Sequence, residues 1–147
     1  GASVTVSGGE ITVADDSMEA FVFPADATVT GVEDIHYAVA TVGDAGFETL
    51  EEAIEEVSEG GTIELVRDIT SSEIITINKS LTINGNGHKV TSSVTRVFRV
   101  TTANTEVTLN GVNMVSTAVR VNTNDIRGIS IDNVNNTFRF IKCKFTI

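Results

Sequence analysis

Two short patterns recur along the second half of the chain, and their spacing restricts the fold more than any other feature. Leu81-Thr82-Ile83-Asn84-Gly85 aligns with Val107-Thr108-Leu109-Asn110-Gly111 and with Ile129-Ser130-Ile131-Asp132-Asn133, at spacings of 26 and 22 residues. Phe98-Arg99-Val100 aligns with Val119-Arg120-Val121 and Phe138-Arg139-Phe140, with the arginines 21 and 19 residues apart. Inside each pattern apolar and polar residues alternate with period two, which is the signature of a strand buried on one face. Recurrence at this interval marks stacked repeats, each too small to bury its own apolar side alone. No helical periodicity separates the runs after Thr62, so βαβ units are excluded. The leucine spacing and asparagine position of a leucine-rich repeat are also missing. All 11 Asn residues fall between Asn78 and Asn136, and Asn tolerates left-handed corners and can bond along a stack. Short strands with Asn-rich corners favour an all-β chain wound as a parallel β-helix of about four coils.

The end coil of such a stack has open strand edges and needs a cover. One amphipathic helix is placed to supply it, over Leu50–Ser58. Thr49 is a good N-cap and Glu52 stands three residues later, which makes a capping box. Leu50, Ala53, Ile54 and Val57 form one apolar stripe, and Gly60-Gly61 supplies the left-handed stop. Glu51, Glu55, Glu56 and Glu59 line the opposite side, and a solvated face explains them better than a metal site. Upstream, residues 3–13 read as a hairpin, Phe21–Phe23 as a short strand ending at Pro24, and 27–32 and 37–42 as further strands. The expected division is an acidic, β-rich segment or cap at 1–37, then the β-helix with its capping helix at 38–147.

Charge is as unevenly spread as asparagine. The 147 residues carry a net charge of −10, yet 1–61 contain no Lys or Arg and hold 14 of the 20 acidic residues. Residues 62–147 hold all 10 basic residues and 6 acidic ones, a local balance of +4. The overall field repels phosphate, so nucleic acid is not an expected partner. A single Cys excludes an internal disulfide framework, and the apolar runs are too short for a membrane span. The opening Gly1-Ala2-Ser3 reads as a processing or cloning remnant, and the alternating 140–147 as a strand cut at its edge. The chain is therefore expected to be a piece of a longer secreted protein, with an open last coil that promotes self-association.

A family resemblance is carried by Ala38-Val39-Ala40-Thr41-Val42-Gly43-Asp44, Phe47-Glu48-Thr49-Leu50-Glu51-Glu52-Ala53-Ile54, Gly60-Gly61-Thr62-Ile63-Glu64-Leu65-Val66-Arg67-Asp68 and Ile77-Asn78-Lys79-Ser80-Leu81-Thr82-Ile83-Asn84-Gly85-Asn86-Gly87-His88. This stretch, about residues 38–90, resembles the opening of pectin-lyase-like right-handed parallel β-helix domains of bacterial secreted and cell-surface proteins. There a capping helix of the pattern TLxEAI precedes GxTIxLxxD and IxKSLTIxGNGH. The resemblance implies a right-handed β-helix and a bacterial secreted or surface location. Because function varies widely on that fold, it implies an activity only by analogy.

Enzymes of that superfamily set carboxylates and a basic residue on one outer face. Here the coils contain only Glu64, Asp68, Glu73, Glu106, Asp125 and Asp132, no two closer than four positions. Asp132 with Arg127 and Arg139 is the nearest approach to a catalytic set, and no catalytic residue, metal ligand or cofactor is assigned. His88 reads as a corner residue, Cys143 as a thiol in an alternating strand, and Asn84-Gly85-Asn86-Gly87 has no helix after it to make a phosphate loop. The candidate binding residues are Arg99, Arg120 and Arg139, each between two apolar residues. Stacked one above another they would make a basic row needing an anionic answer. That answer is either the acidic segment 1–37, folding back or reaching a neighbouring copy, or an acidic polysaccharide held by guanidinium–carboxylate pairs. The expected function is a non-catalytic, adhesin-like module for carbohydrate or surface contact or for scaffolding. The alternative is a fragment of a polysaccharide lyase or glycoside hydrolase of the same superfamily.

Overall fold

A computed structural model describes residues 10–12, 25, 28–30, 37–119 and 127–147. The described residues are strand-rich, with one helix. Two strands, β1 (Glu10–Thr12) and β2 (Thr28–Thr30), pair in parallel as a sheet of their own. The partner expected for β1 in a 3–13 hairpin lies outside the described residues, as does the strand at 21–23. Next come β3 (Ala40–Val42), β4 (Ala45–Phe47) and helix α1 (Leu50–Glu56). Eleven strands follow: β5 (Gly61–Leu65), β6 (Ile69–Ser71), β7 (Ile75–Ile77), β8 (Leu81–Asn84), β9 (Lys89–Ser92), β10 (Arg96–Val100), β11 (Glu106–Asn110), β12 (Asn113–Ser116), β13 (Arg127–Ile131), β14 (Thr137–Ile141) and β15 (Lys144–Thr146).

From β5 onward every strand pairs in parallel with the strand three places away in the chain. The sheets run β14-β11-β8-β5-β3-β4, β15-β12-β9-β6 and β13-β10-β7, and only β3 is antiparallel to its neighbours. The expected stacking of 81–85 on 107–111 is present, with Leu81 beside Val107, Ile83 beside Leu109 and Asn84 beside Asn110. The third expected member is not: 129–133 belongs to β13 in another sheet, and β14 stacks on β11 instead, Phe138 beside Val107 and Phe140 beside Leu109. Alternation of period two lets any such strand match any other by composition. Main-chain pairing, which composition does not encode, selects among them.

Register turns the alternation into apolar columns. Ile63, Ile83, Leu109 and Phe140 form one, Ile69, Val90, Met114 and Phe145 a second, and Ile75, Phe98 and Ile129 a third. All but the members on β13–β15 are buried. At the other end α1 closes the core, since Leu50, Ala53, Ile54 and Val57 are all buried and the helix packs on β3, β4 and β7. The capping box is formed: Glu52 N–H donates to Thr49 Oγ1 at 3.2 Å and Thr49 N–H to Glu52 Oε2 at 3.2 Å. The helix stops slightly short of the expected 58. With no basic residue in its last turn, Lys79 supplies the charge from the strand side, donating from Nζ to the carbonyls of Glu55 at 2.8 Å and Val57 at 3.0 Å. A cation at these carbonyls satisfies orphan acceptors and complements the helix dipole.

The corners repeat as well. Asn86, Asn104 and Asn135 adopt positive φ, as the Asn-rich composition suggested, and Lys142 does the same. A second corner device went unread in the sequence. Ser71, Ser92 and Ser116 end β6, β9 and β12 and stand in register. Each Oγ accepts the main-chain N–H two residues on, from Glu73 at 3.1 Å, Val94 at 3.3 Å and Ala118 at 3.3 Å. One hydroxyl per corner thus satisfies a donor that has left the sheet.

Candidate functional site

Arg99 and Arg139 do not stand in one row. Arg99 lies on β10, between Thr76 and Ser130 of its own sheet, whereas Arg139 lies on β14 beside Thr108 of another sheet. Arg120 lies outside the described residues. Arg99 and Arg139 share an apolar–Arg–apolar setting, which fixes that each faces outward but not which sheet carries it. Arg99 forms an ion pair through Nε with Asp132 Oδ2, which stands just after β13. Asp132 therefore neutralises Arg99 and is not grouped with Arg139. Arg139 is exposed and has no ion-pair partner among the described residues.

Outward positions of the six-stranded sheet instead carry a polar row. Thr62, Thr82 and Thr108 stand side by side, and next to them Glu64, Asn84 and Asn110. Asn110 Nδ2 donates to Asn84 Oδ1 at 3.2 Å, and Asn84 Nδ2 to Glu64 Oε1 at 2.6 Å. Asn86 Nδ2 gives Glu64 Oε2 a further bond at 2.9 Å. The row thus ends on a carboxylate held by two amides. The aligned pair Asn84 and Asn110 marked this row in the sequence, but its acidic end is Glu64, not Asp132.

Asp68 sits at the next corner, accepting from Lys89 N–H at 2.9 Å and facing His88 Nδ1 at 3.3 Å. The Lys89 main-chain N–H, with a smaller contribution from His88, holds the Asp68 carboxyl below its ordinary range. The Ser80 hydroxyl and the Ser80 N–H, the latter at 3.0 Å, do the same for Glu59 just after α1. A lowered folded-state pKa stabilises the fold above the ordinary carboxylate value, about 4, and that stabilisation is lost as pH falls through the depressed value. The thermal midpoint is therefore expected to drop on acidification below about pH 4. The double variant Glu59→Gln/Asp68→Asn should show a shallower acid limb in melts followed by circular dichroism. An unchanged limb would contradict the assignment.

Three further features belong to the described surface. Where β4 meets α1, Gly46, Phe47, Glu52, Glu55 and Glu56 line an open groove of about 320 Å³. The Arg67 guanidinium lies 4.2 Å from the centre of the Tyr37 ring and donates to the Ala25 carbonyl. Cys143 is half-buried, its Sγ 3.2 Å from the Leu109 carbonyl oxygen. Among the described residues no cluster of three or more His, Cys, Asp or Glu could hold a metal ion, and no helix is long and apolar enough to cross a membrane. No protein-family model matches the chain, and no curated protein or solved structure is significantly similar to it.

Proposed function

We propose that the three parallel sheets are the faces of one right-handed parallel β-helix of the pectin-lyase-like kind. In this reading the chain is a non-catalytic module of a bacterial secreted or cell-surface protein, a rigid frame for surface or carbohydrate contact. The strand order and the motifs at 38–90 support the fold. The observation that carries the function is how three carboxylates of the parallel-strand body, Glu64, Asp68 and Asp132, are employed. Glu64 is clasped by two amides, Asp68 by a main-chain N–H, and Asp132 by Arg99, each serving its own neighbours. A glycosidase needs two carboxyl groups facing one bond, and a lyase needs a base free to take a proton. Carboxylates committed to structural bonds suit a scaffold better.

Of the two candidate arginines described, Arg139 suits contact better, since it is exposed and Arg99 is engaged by Asp132. Its guanidinium suits the carboxylate of a uronic acid. The protein is to be incubated with polygalacturonate and with neutral glucans while reducing ends and unsaturated uronate absorbance are followed. A glycan array is then read with wild type and Arg139→Gln. No turnover is expected, with uronate binding reduced about tenfold in the variant, as loss of a charged hydrogen bond gives. Turnover would overturn the non-catalytic reading. Array binding that Arg139→Gln leaves unchanged would remove Arg139 from the contact.

A further inference from the structure

Three Asn-Gly pairs lie close together in the parallel-strand body: Asn84-Gly85, Asn86-Gly87 and Asn110-Gly111. Glycine has no side chain to hinder approach to its own nitrogen, so each pair holds the groups for one self-catalysed reaction. The glycine nitrogen attacks the asparagine Cγ, a succinimide ring closes, and the bond from Cγ to Nδ2 breaks. The proton lost by the glycine nitrogen returns through water to the leaving nitrogen, which departs as ammonia. Water then opens the ring at either carbonyl, giving aspartate or isoaspartate. The fold treats the three pairs differently. Gly85 N–H donates to Asn110 O and Gly111 N–H to Ile141 O, both at 2.7 Å, so these nitrogens are tied to the next layer. Asn84 and Asn110 are also linked through their side chains in the amide row. Freeing either nitrogen means parting two layers.

Asn86-Gly87 instead forms the centre of a turn that His88 N–H closes on Gly85 O at 2.8 Å. Both central residues have positive φ, 52° for Asn86 and 85° for Gly87, the pattern of a type I′ turn. Four residues separate β8 from β9 here, where two separate β11 from β12 and β14 from β15. Asn86 and Gly87 are both exposed, and Gly87 N–H has no hydrogen-bond partner among the described residues. The Asn86 amide is held by Nδ2 alone, donating to Glu64 Oε2 at 2.9 Å and Leu65 O at 3.0 Å. Releasing those two bonds opens a corner and leaves the layers closed. We infer that Asn86 is a site of self-catalysed deamidation, the first of the three Asn-Gly pairs to convert, and that conversion releases Glu64 from its clasp. The product sets a second carboxylate where Glu64 had an amide donor, and like charges at that distance repel. The corner thus carries a slow, one-way change of charge at the acidic end of the amide row, independent of any glycan contact.

The test is incubation of the full 147-residue chain at mildly alkaline pH, in buffer and in urea, with fragment-ion mass spectrometry locating each gain of one mass unit. In the folded chain Asn86 is expected to convert at least tenfold faster than Asn84 or Asn110, as a mixture of aspartate and isoaspartate. Its rate should rise with pH, because the attacking nitrogen must lose its proton. In urea the three pairs should convert within a few-fold of one another. Asn86→Asp reproduces one product and keeps a residue type that tolerates positive φ. It is expected to lower the thermal midpoint at neutral pH by about 2–4 °C. Asn86→Asp/Glu64→Gln should recover most of that loss, because a glutamine there can donate to the new carboxylate. No conversion at Asn86 in the folded chain, or conversion of Asn84 or Asn110 first, overturns the site. The same order in urea removes the fold as its cause. An Asn86→Asp midpoint equal to wild type, or a loss that Glu64→Gln leaves in place, overturns the release of Glu64.

Discussion

Leu50→Ala is expected to lower unfolding free energy by about 2–5 kcal/mol, measured by urea denaturation. Leu50 is wholly buried, on the helix that closes one end of the apolar columns, with Ala53, Ile54 and Val57 beside it. Strands surround the site on β3, β4 and β7, so little can collapse into the space left behind. Against a typical total of about 5–15 kcal/mol, one such loss is a large share. Ile54→Ala should act alike. Glu56→Ala, on the exposed side of the same helix, should stay within about 0.5 kcal/mol. A Leu50→Ala loss below about 1 kcal/mol would show that the helix is not the lid of this core.

Gly85→Ala is expected to be at least as damaging, through a different cause. Gly85 follows β8 and needs no unusual backbone angle. Its constraint is the neighbouring strand connection: a Cβ there would lie 2.4 Å from the carbonyl oxygen of Gly111 and 2.6 Å from Val112 Cα. Both obstacles are main chain, held where Gly85 N–H donates to Asn110 O at 2.7 Å and Gly111 N–H to Ile141 O at 2.7 Å. Relief requires the two layers to part, so the loss should reach or pass the top of the ~1–3 kcal/mol range for overpacking. Gly87→Ala, at an open corner with φ of 85°, tests the contrast. It meets left-handed strain, about 1–2 kcal/mol, but no neighbour. Equal losses at the two positions would mean that the layers are not packed as closely as described.

What could be read before the structure was what short-range chemistry determines. The helix start was legible because Thr49 and Glu52 are three residues apart and the stripe from Leu50 to Val57 is continuous. The stacking of β8 on β11 was legible because two five-residue segments agree at every position, Asn-Gly included. Past that point similarity misled. Asp132-Asn133 resembles Asn84-Gly85 and so suggests aligning β13 with β8, while the true fourth layer, Thr137–Ile141, ends on an apolar residue where β8 and β11 have an amide. Arg99 and Arg139 fall in different sheets for the same reason. Apolar–Arg–apolar fixes a face, but the sheet is set by the lengths of the connections between strands. The serine corners left a recurrent Ser at intervals of 21 and 24 residues, a weak signal amid so much Ser and Thr. Glu64 could not be assigned to the amide row until register placed it beside Asn84.

All of this depends on strands three places apart in the chain lying parallel and in register. Nuclear Overhauser contacts in the labelled 15.6-kDa protein test it most directly. The account predicts sequential-layer contacts of the parallel kind from Val107 to both Leu81 and Phe138, and from Phe98 to both Ile75 and Ile129. Strong Hα–Hα contacts pairing β8 with β9 or β11 with β12 in antiparallel hairpins would contradict it.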